Sequence, residues 1–398
     1  MKKHHYNPDD CTACTSCVIH CPVAQAVREF QGPKLAGPAG ERFRLMEDDW
    51  GTALEYCSNC KNCDISCPSR VPISTLTMKA RAQYYKTHKQ SRRDWLLSHG
   101  EQMAKMASLT PRLANLGMNN FVSKAILKNL GISDKAPLPA YASESFSKQF
   151  KKIKQQPTAN KAVFYPGCFI NYNQPQVGLD VVAVLQVNNF EVIVPEEAVC
   201  CGSPLVVNGY MAEAEANAHK NIAILQDYVR KGYPIITACT SCGLMLKQEY
   251  QELFANKGIE QVASRIYDIA EFLLELYDEG LLNTNFTRQE GRYLYHAPCH
   301  LRVQGLGKPS LELVRMIPGI EVIDADAGCC GISGNYGFKA EKYDIAMAVG
   351  KNLFETIKAS SIDSVLSECG TCRLQIAHGT GVKTEHPITV VRSAYDQK

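Results

Sequence analysis

From residue 162 onward the chain alternates short β-branched or aromatic runs with stretches of helical spacing. Residues 162–165, 191–194 and 234–237 read as strands, and 180–187 and 212–229 between them repeat apolar positions at helical intervals. The pattern then starts again, with strands at 293–295, 321–323 and 363–366 and its clearest helix at 341–357. Strand–helix–strand order predicts parallel α/β sheets joined by right-handed crossovers. Upstream, residues 79–133 read as helices rich in Lys, Arg, Met and Leu. Residues 134–161 carry Pro137, Pro139, Pro157 and a basic run at 148–154, and read as a linker.

The restart is a duplication. Val163-Phe-Tyr-Pro-Gly-Cys168 matches Tyr293-Leu-Tyr-His-Ala-Pro-Cys299, Cys200-Cys201-Gly202 matches Cys329-Cys330-Gly331, and Cys239-Thr-Ser-Cys242 matches Cys369-Gly-Thr-Cys372. All three landmarks recur about 130 residues apart, the constancy expected of an internal repeat. Every cysteine then falls just past the C-terminal end of a strand, where open α/β sheets place their ligands. Five thiols per module converge there.

Composition narrows the chemistry. With 398 residues, 45% hydrophobic and 21% charged, the chain suits two or three globular domains. A net charge of +3 implies no broad polyanion-binding field, so nucleic acid is not expected as a partner. The first ten residues never become apolar enough for a signal peptide, which reads as a chain kept in a reducing compartment. Eighteen regularly spaced cysteines in such a compartment point to metal, because disulfides are disfavoured there. No apolar run reaches the roughly 18 residues of a membrane span.

Cys11-x2-Cys14-x2-Cys17-x3-Cys21-Pro22 is the bacterial ferredoxin run, and it recurs as Cys57-x2-Cys60-x2-Cys63-x3-Cys67-Pro68. Three thiols of each run wrap one cluster, and the fourth, before proline, crosses to the other. One 4Fe-4S cluster is therefore assigned to Cys11, Cys14, Cys17 and Cys67, and a second to Cys57, Cys60, Cys63 and Cys21. Structural zinc uses paired short spacings and does not call for this run, still less for two. In the insert between the runs, the Gly and Pro residues read as turns, and Glu41 and Arg42 as surface ion-pairing groups.

The pattern Cys…Cys-Cys-Gly…Cys-x-x-Cys resembles the cysteine-rich domain of the heterodisulfide reductase group and of glycolate oxidase iron–sulfur subunits. That resemblance implies one or two further iron–sulfur clusters, non-cubane 4Fe-4S among the options. The two ligand sets would be Cys168, Cys200, Cys201, Cys239 and Cys242, and Cys299, Cys329, Cys330, Cys369 and Cys372. A metal-free or zinc-bound copy stays open as the alternative for either module. Gly202 and Gly331 suit a close backbone approach to metal or a positive φ. Asn173 and Pro175 mark a helix start whose dipole would favour an anionic cluster. His300, beside Cys299, is either a hydrogen-bonded histidine or a ligand or proton carrier.

Longer strings narrow the resemblance. Cys168-Phe-Ile-Asn-Tyr-Asn, Cys200-Cys-Gly-Ser-Pro-Leu, Tyr295-His-Ala-Pro-Cys-His300, Cys329-Cys-Gly-Ile-Ser-Gly-Asn-Tyr-Gly-Phe-Lys339 and Glu385-His-Pro-Ile388 resemble the C-subunit family of anaerobic glycerol-3-phosphate dehydrogenases. The resemblance implies flavoprotein A and B subunits as partners, membrane quinone as acceptor, and peripheral attachment to the cytoplasmic face of the inner membrane. A heterodisulfide-reductase-like catalytic subunit and a glycolate or lactate oxidase subunit stay open as alternatives. No strand-linked Gly-x-Gly-x-x-Gly is present, so a flavin or nicotinamide belongs to a partner, and no catalytic constellation stands out.

The helical stretch adds a candidate surface. Lys79, Arg81, Lys86, Lys89, Arg92, Arg93, Lys105, Arg112, Lys124, Lys128 and Lys135 face only Asp94, Glu101 and Asp134, beside Leu109, Leu113 and Leu116 at helical spacing. Such a stretch lies on anionic lipid or packs on a neighbouring domain. The expected architecture is mixed α and α/β. It comprises a helical two-cluster ferredoxin domain (1–78), a basic amphipathic region (79–133), a linker (134–161) and two homologous α/β cysteine-rich modules (162–290 and 291–398).

Overall fold

The computed structural model describes residues 7–47 and 53–395. Its second half holds two four-stranded parallel sheets. In the first, β1 (Lys161–Phe164), β2 (Glu191–Ile193), β3 (Ile235–Thr237) and β4 (Ile266–Asp268) lie in the order β2-β1-β3-β4. In the second, β5 (Gly291–Tyr295), β6 (Ile320–Asp324), β7 (Ser364–Leu366) and β8 (Thr384–Glu385) repeat it as β6-β5-β7-β8. The six expected strands are present within a residue or two. The fourth strand of each sheet lay outside the sequence reading, because three residues or two show no alternation to recognise.

The helices follow from the same pattern. Pro175 opens Pro175–Val187, where its fixed φ and missing N–H cost nothing. Met211–Arg230 and Ala340–Ala359 occupy equivalent places, each laying its apolar stripe on one sheet. The modules are fused through their helices. Pro175–Val187 of the first packs on Pro387–Ser393 of the second, and Ile269–Asp278 of the first packs on Pro309–Arg315 of the second. Val181, Leu185, Ile269 and Leu273 thereby share one core with Val314, Ile317, Ile388 and Val391.

Residues 134–161 depart from the linker reading. They contain the helix Phe146–Phe150, and Phe146 is fully buried against Phe164 and over Gly178, where an added Cβ would meet its ring at 2.5 Å. Phe146 and Phe150 stand one turn apart and seat this stretch on the first module, a signal that the surrounding prolines obscured.

The N-terminal domain is built from short helices such as Ser16–Ile19, Pro22–Ala26 and Asn62–Ile65, followed by Ile73–Thr87. Its insert forms local ion pairs, Arg42 with Asp9 at 2.5 Å and Arg44 with Glu41 at 2.9 Å. Buried Lys61 docks it to the first module, with Nζ 3.0 Å from Glu252 and 3.4 Å from Glu249. Burial alone would discharge this amine, but Glu249, Glu252 and Asp64 outweigh it and push its pKa up, so Lys61 stays charged. Arg81 adds hydrogen bonds to the carbonyls of Cys57 (2.9 Å), Leu54 and Val207. The second module is held by Ser333 donating to the Ser58 carbonyl at 2.7 Å and by Lys339 bonding Asp94 at 2.8 Å.

The basic region forms Arg92–Ser98, Gly100–Ala107, Pro111–Asn119 and Phe121–Asn129. Only part of its apolar surface is used. Ala104 is buried, but Leu109 is 80% exposed, Leu113 67% and Leu116 69%.

Two outcomes test this packing. Lys61→Ala leaves buried Glu249 without its counter-charge and is expected to destabilise the anaerobic protein by about 3–5 kcal/mol. A thermal midpoint equal to wild type would contradict it. Gly202 and Gly331 both sit at φ +88°, yet a Cβ on Gly331 would lie 1.9 Å from the Ala346 carbonyl oxygen, against 3.3 Å from Ala214 for Gly202. Gly202→Ala should therefore cost only the left-handed penalty of about 1–2 kcal/mol. Gly331→Ala should unfold the second module, as read by circular dichroism and proteolysis.

Candidate iron–sulfur sites

Each ferredoxin-type loop is shaped by paired left-handed residues at matching positions: Ala13 and Thr15 in the first run, Asn59 and Lys61 in the second, with φ between 56° and 63°. Alternating backbone hand of this kind points successive N–H groups inward and makes an anion cradle. None of the four is glycine, so no sequence signal marked them. Each costs about 1 kcal/mol or more, which the cradle must offset when filled.

The thiols gather in two sets. Cys17 sits with Cys11, Cys14 and Cys67; burial and the nearby Cys11, Cys67 and Cys14 all raise its pKa. Cys21 crosses over to join Cys57, Cys60 and Cys63 around one enclosed cavity. Burial pushes Cys21 up to about 11, and Cys60 and Cys63 upward too. Thiols so desolvated ionise only against a cation, which iron would supply. Two sets of four sulfurs around an anion cradle fit 4Fe-4S clusters. The sets differ in exposure: Cys14 lies at the surface, whereas Cys21, Cys60 and Cys63 are buried.

The five cysteines of each module also converge. In the first, Cys168 and Cys200 Sγ are 3.9 Å apart, and Cys201 interacts with both Cys200 and Cys242. Gly167 (φ +64°) is required here, since a Cβ would lie 2.6 Å from Cys242 Sγ. In the second, Cys330 and Cys372 Sγ are 3.2 Å apart, and the Cys372 hydrogen bond, with help from Thr371, pulls Cys369 down to about 5. Bare thiols crowded this way suit a shared metal. Gly202 and Gly331 take the positive φ that the sequence suggested: their N–H groups donate to Cys200 Sγ at 3.5 Å and Cys329 Sγ at 3.3 Å, while the Cys-Cys loops pass under the long helices at Ala214 and Ala346.

The sets are neighbours in a definite order. Cys60 lies within electrostatic reach of Cys329 and Cys299, and Cys239 of Cys369. His300 ties that junction, with Nδ1 on Ser241 Oγ at 2.9 Å and Nε2 on the Asn59 carbonyl at 3.0 Å. It is a hydrogen-bonded bridge between three domains. Among the thiol sets, that of the second module thus adjoins both Cys60 of the ferredoxin domain and Cys239 of the first module, an order that is not that of the chain.

Three functional features were missed by sequence reasoning. Glu101 of the basic region accepts from the Cys200 backbone N–H at 2.8 Å and pairs with Lys105 at 2.9 Å. A cavity of about 290 Å³ opens there, lined by Glu101, Lys105, Cys168, Tyr172 and Cys200. His296 is buried, held near pKa 4 by desolvation, with a ring nitrogen within 4.8 Å of Cys330 and Cys372 Sγ. Its signal was present: three residues separate Tyr295 from Cys299, and two separate Tyr165 from Cys168.

Comparison with known proteins agrees with this geometry. Residues 8–71 match the 4Fe-4S dicluster domain family, and residues 162–247 and 293–377 each match the cysteine-rich domain family. The glycolate oxidase iron-sulfur subunit of Escherichia coli is 23% identical, with 98% of this chain and 94% of that protein covered. The B-subunit of the fumarate reductase (CoM/CoB) of Methanothermobacter marburgensis is 28% identical, over 92% of this chain and 67% of its own length. The C-subunit of the anaerobic glycerol-3-phosphate dehydrogenase of Escherichia coli is 36% identical, over 97% of this chain and 98% of that protein. Likeness at that level along nearly the whole of both chains, with both ferredoxin runs and both five-cysteine modules intact, makes this chain a member of the C-subunit family of anaerobic glycerol-3-phosphate dehydrogenases.

Proposed function

We propose that this chain carries electrons from the flavin of partner A and B subunits to membrane quinone, and holds that dehydrogenase at the cytoplasmic face of the inner membrane. The observation that carries the reading is the unbroken adjacency of the thiol sets, from exposed Cys14, through Cys60 beside Cys329, to Cys239 beside Cys369. When bound, iron–sulfur clusters supply one-electron storage at potentials set by ligation, hydrogen bonding and exposure. The chain's own residues do the rest.

Ile19 and Ile65, on the short helices that carry Cys17 and Cys63, are exposed and apolar, which supports docking of a flavoprotein partner on the ferredoxin domain. At the other end, the cavity beside Cys168 and Cys200 offers a ring-sized space with Lys105 and Tyr172 as hydrogen-bond donors. Past Lys105 the surface continues into exposed Met106, Leu109, Leu113 and Leu116. No helix among the described residues is long and apolar enough to cross a membrane. Attachment therefore rests on these helices lying in the headgroup layer, with Arg112, Lys124 and Lys128 drawn to anionic lipid.

Copurification with two flavoprotein subunits and a glycerol 3-phosphate:quinone assay test the reading together. Cys60→Ser should remove one cluster's iron and sulfide and abolish quinone reduction, while dye reduction by the flavoprotein subunits continues. Unchanged quinone reduction in this variant would overturn the proposed route.

Membrane attachment is tested separately by sedimentation with anionic vesicles. Replacing Leu109, Leu113 and Leu116 together by Asp should weaken binding by at least about a hundredfold, since each buried leucine contributes roughly 1.5–3 kcal/mol. Binding should also weaken as salt rises. Equal binding by the triple variant would place attachment elsewhere.

A further inference from the structure

Four histidines are buried among the described residues, and their rings are not used alike. His99 bonds the Trp95 carbonyl and Glu213, both at 2.8 Å. His300 bonds Ser241 and the Asn59 carbonyl. His386 accepts from the Ile388 N–H and bonds the Ala238 carbonyl, each at 3.0 Å. Both ring nitrogens are engaged in all three. The His296 ring has no hydrogen-bond partner among the described residues and faces the enclosed cavity lined by Cys299, Cys329, Cys330, Cys369 and Cys372.

An imidazole buried without a partner forfeits its hydration and receives nothing in return. Its placement is not accidental slack. The His296 backbone N–H donates to the Leu366 carbonyl at 2.9 Å, continuing the β5–β7 ladder, so the ring's root is fixed at the sheet edge. Its ligand atom, Cys330 Sγ and Cys372 Sγ all lie within 4.8 Å of one another, a separation one metal atom can span. The first module has no counterpart, because the extra residue between Tyr295 and Cys299 is absent between Tyr165 and Cys168.

We propose that His296 is a ligand to iron in the second module, donating a ring nitrogen alongside Cys330 and Cys372, and that the two modules hold chemically different sites. The proposal rests on the reading that the second module contains an iron–sulfur cluster. A neutral nitrogen adds no negative charge to the iron, and histidine in place of thiolate raises a cluster's potential. The site whose thiols adjoin both Cys60 and Cys239 then differs in potential from its all-sulfur duplicate.

The test uses the full chain, purified anaerobically with either 14N or 15N histidine and examined by pulsed electron paramagnetic resonance through a redox titration. The expected result is a strong nitrogen coupling that changes with the isotope and disappears in His296→Ala, with the signals of the ferredoxin half retained. The isotope comparison on the wild-type chain decides the matter even if the variant fails to load metal. Only the weak coupling of a nitrogen hydrogen-bonded to sulfur, or a strong coupling that survives His296→Ala, would overturn the proposal. Iron content unchanged by replacing all five cysteines of the second module, or zinc found there, would instead remove the cluster reading on which it rests.

Discussion

Thiols taken out of water and pressed against one another are the constraint on which this molecule turns. Cys168 and Cys200, or Cys330 and Cys372, stand at sulfur–sulfur contact distances inside the protein, and for Cys168 and Cys372 the neighbouring thiol and burial together oppose ionisation. Sulfurs arranged that way oppose the fold until a cation shares them, so metal binding and folding are coupled. The parallel sheet makes the crowding achievable: its strands end together at one edge, and loops from β1, β2 and β3, or β5, β6 and β7, deliver cysteines to a common point. Glycine closes the geometry where a side chain would collide, as Gly167 does against Cys242.

The second level of organisation is docking. The loop that carries Cys57, Cys60 and Cys63 also presents Lys61 to Glu249 and Glu252, the Asn59 carbonyl to His300, and the Ser58 carbonyl to Ser333. One loop therefore holds its own thiols and grips both modules. A lysine buried among carboxylates contributes little net stability over an apolar pair, but it tolerates only one register, because any slip leaves a charge unpaired. That specificity keeps Cys60 against Cys329. The packing of helices between the modules does the same for Cys239 and Cys369.

The basic helices join the two proposed roles physically. Glu101, on Gly100–Ala107, hydrogen-bonds the Cys200 backbone, so the amphipathic region is part of the first module's site. The same helix ends beside Leu109, whose exposure leaves an apolar surface continuous with the cavity.

By itself the sequence determined the cysteine inventory, the duplication and the parallel α/β class, because cysteine spacing, repeat offset and apolar period are local properties of the chain. It also carried the crossing of Cys21 and Cys67 between sets, through the proline that follows each. Two strands escaped it because three residues show no period, and Phe146 escaped because prolines around a short helix look like a linker. Only the tertiary structure decided that the second module's thiols adjoin both Cys60 and Cys239, that His300 is a bridge while His296 faces the thiols, and that Glu101 serves Cys200. Those facts depend on contacts between residues far apart in the chain, 99 positions for Glu101 and Cys200 and 241 for His300 and Asn59, which no local pattern encodes.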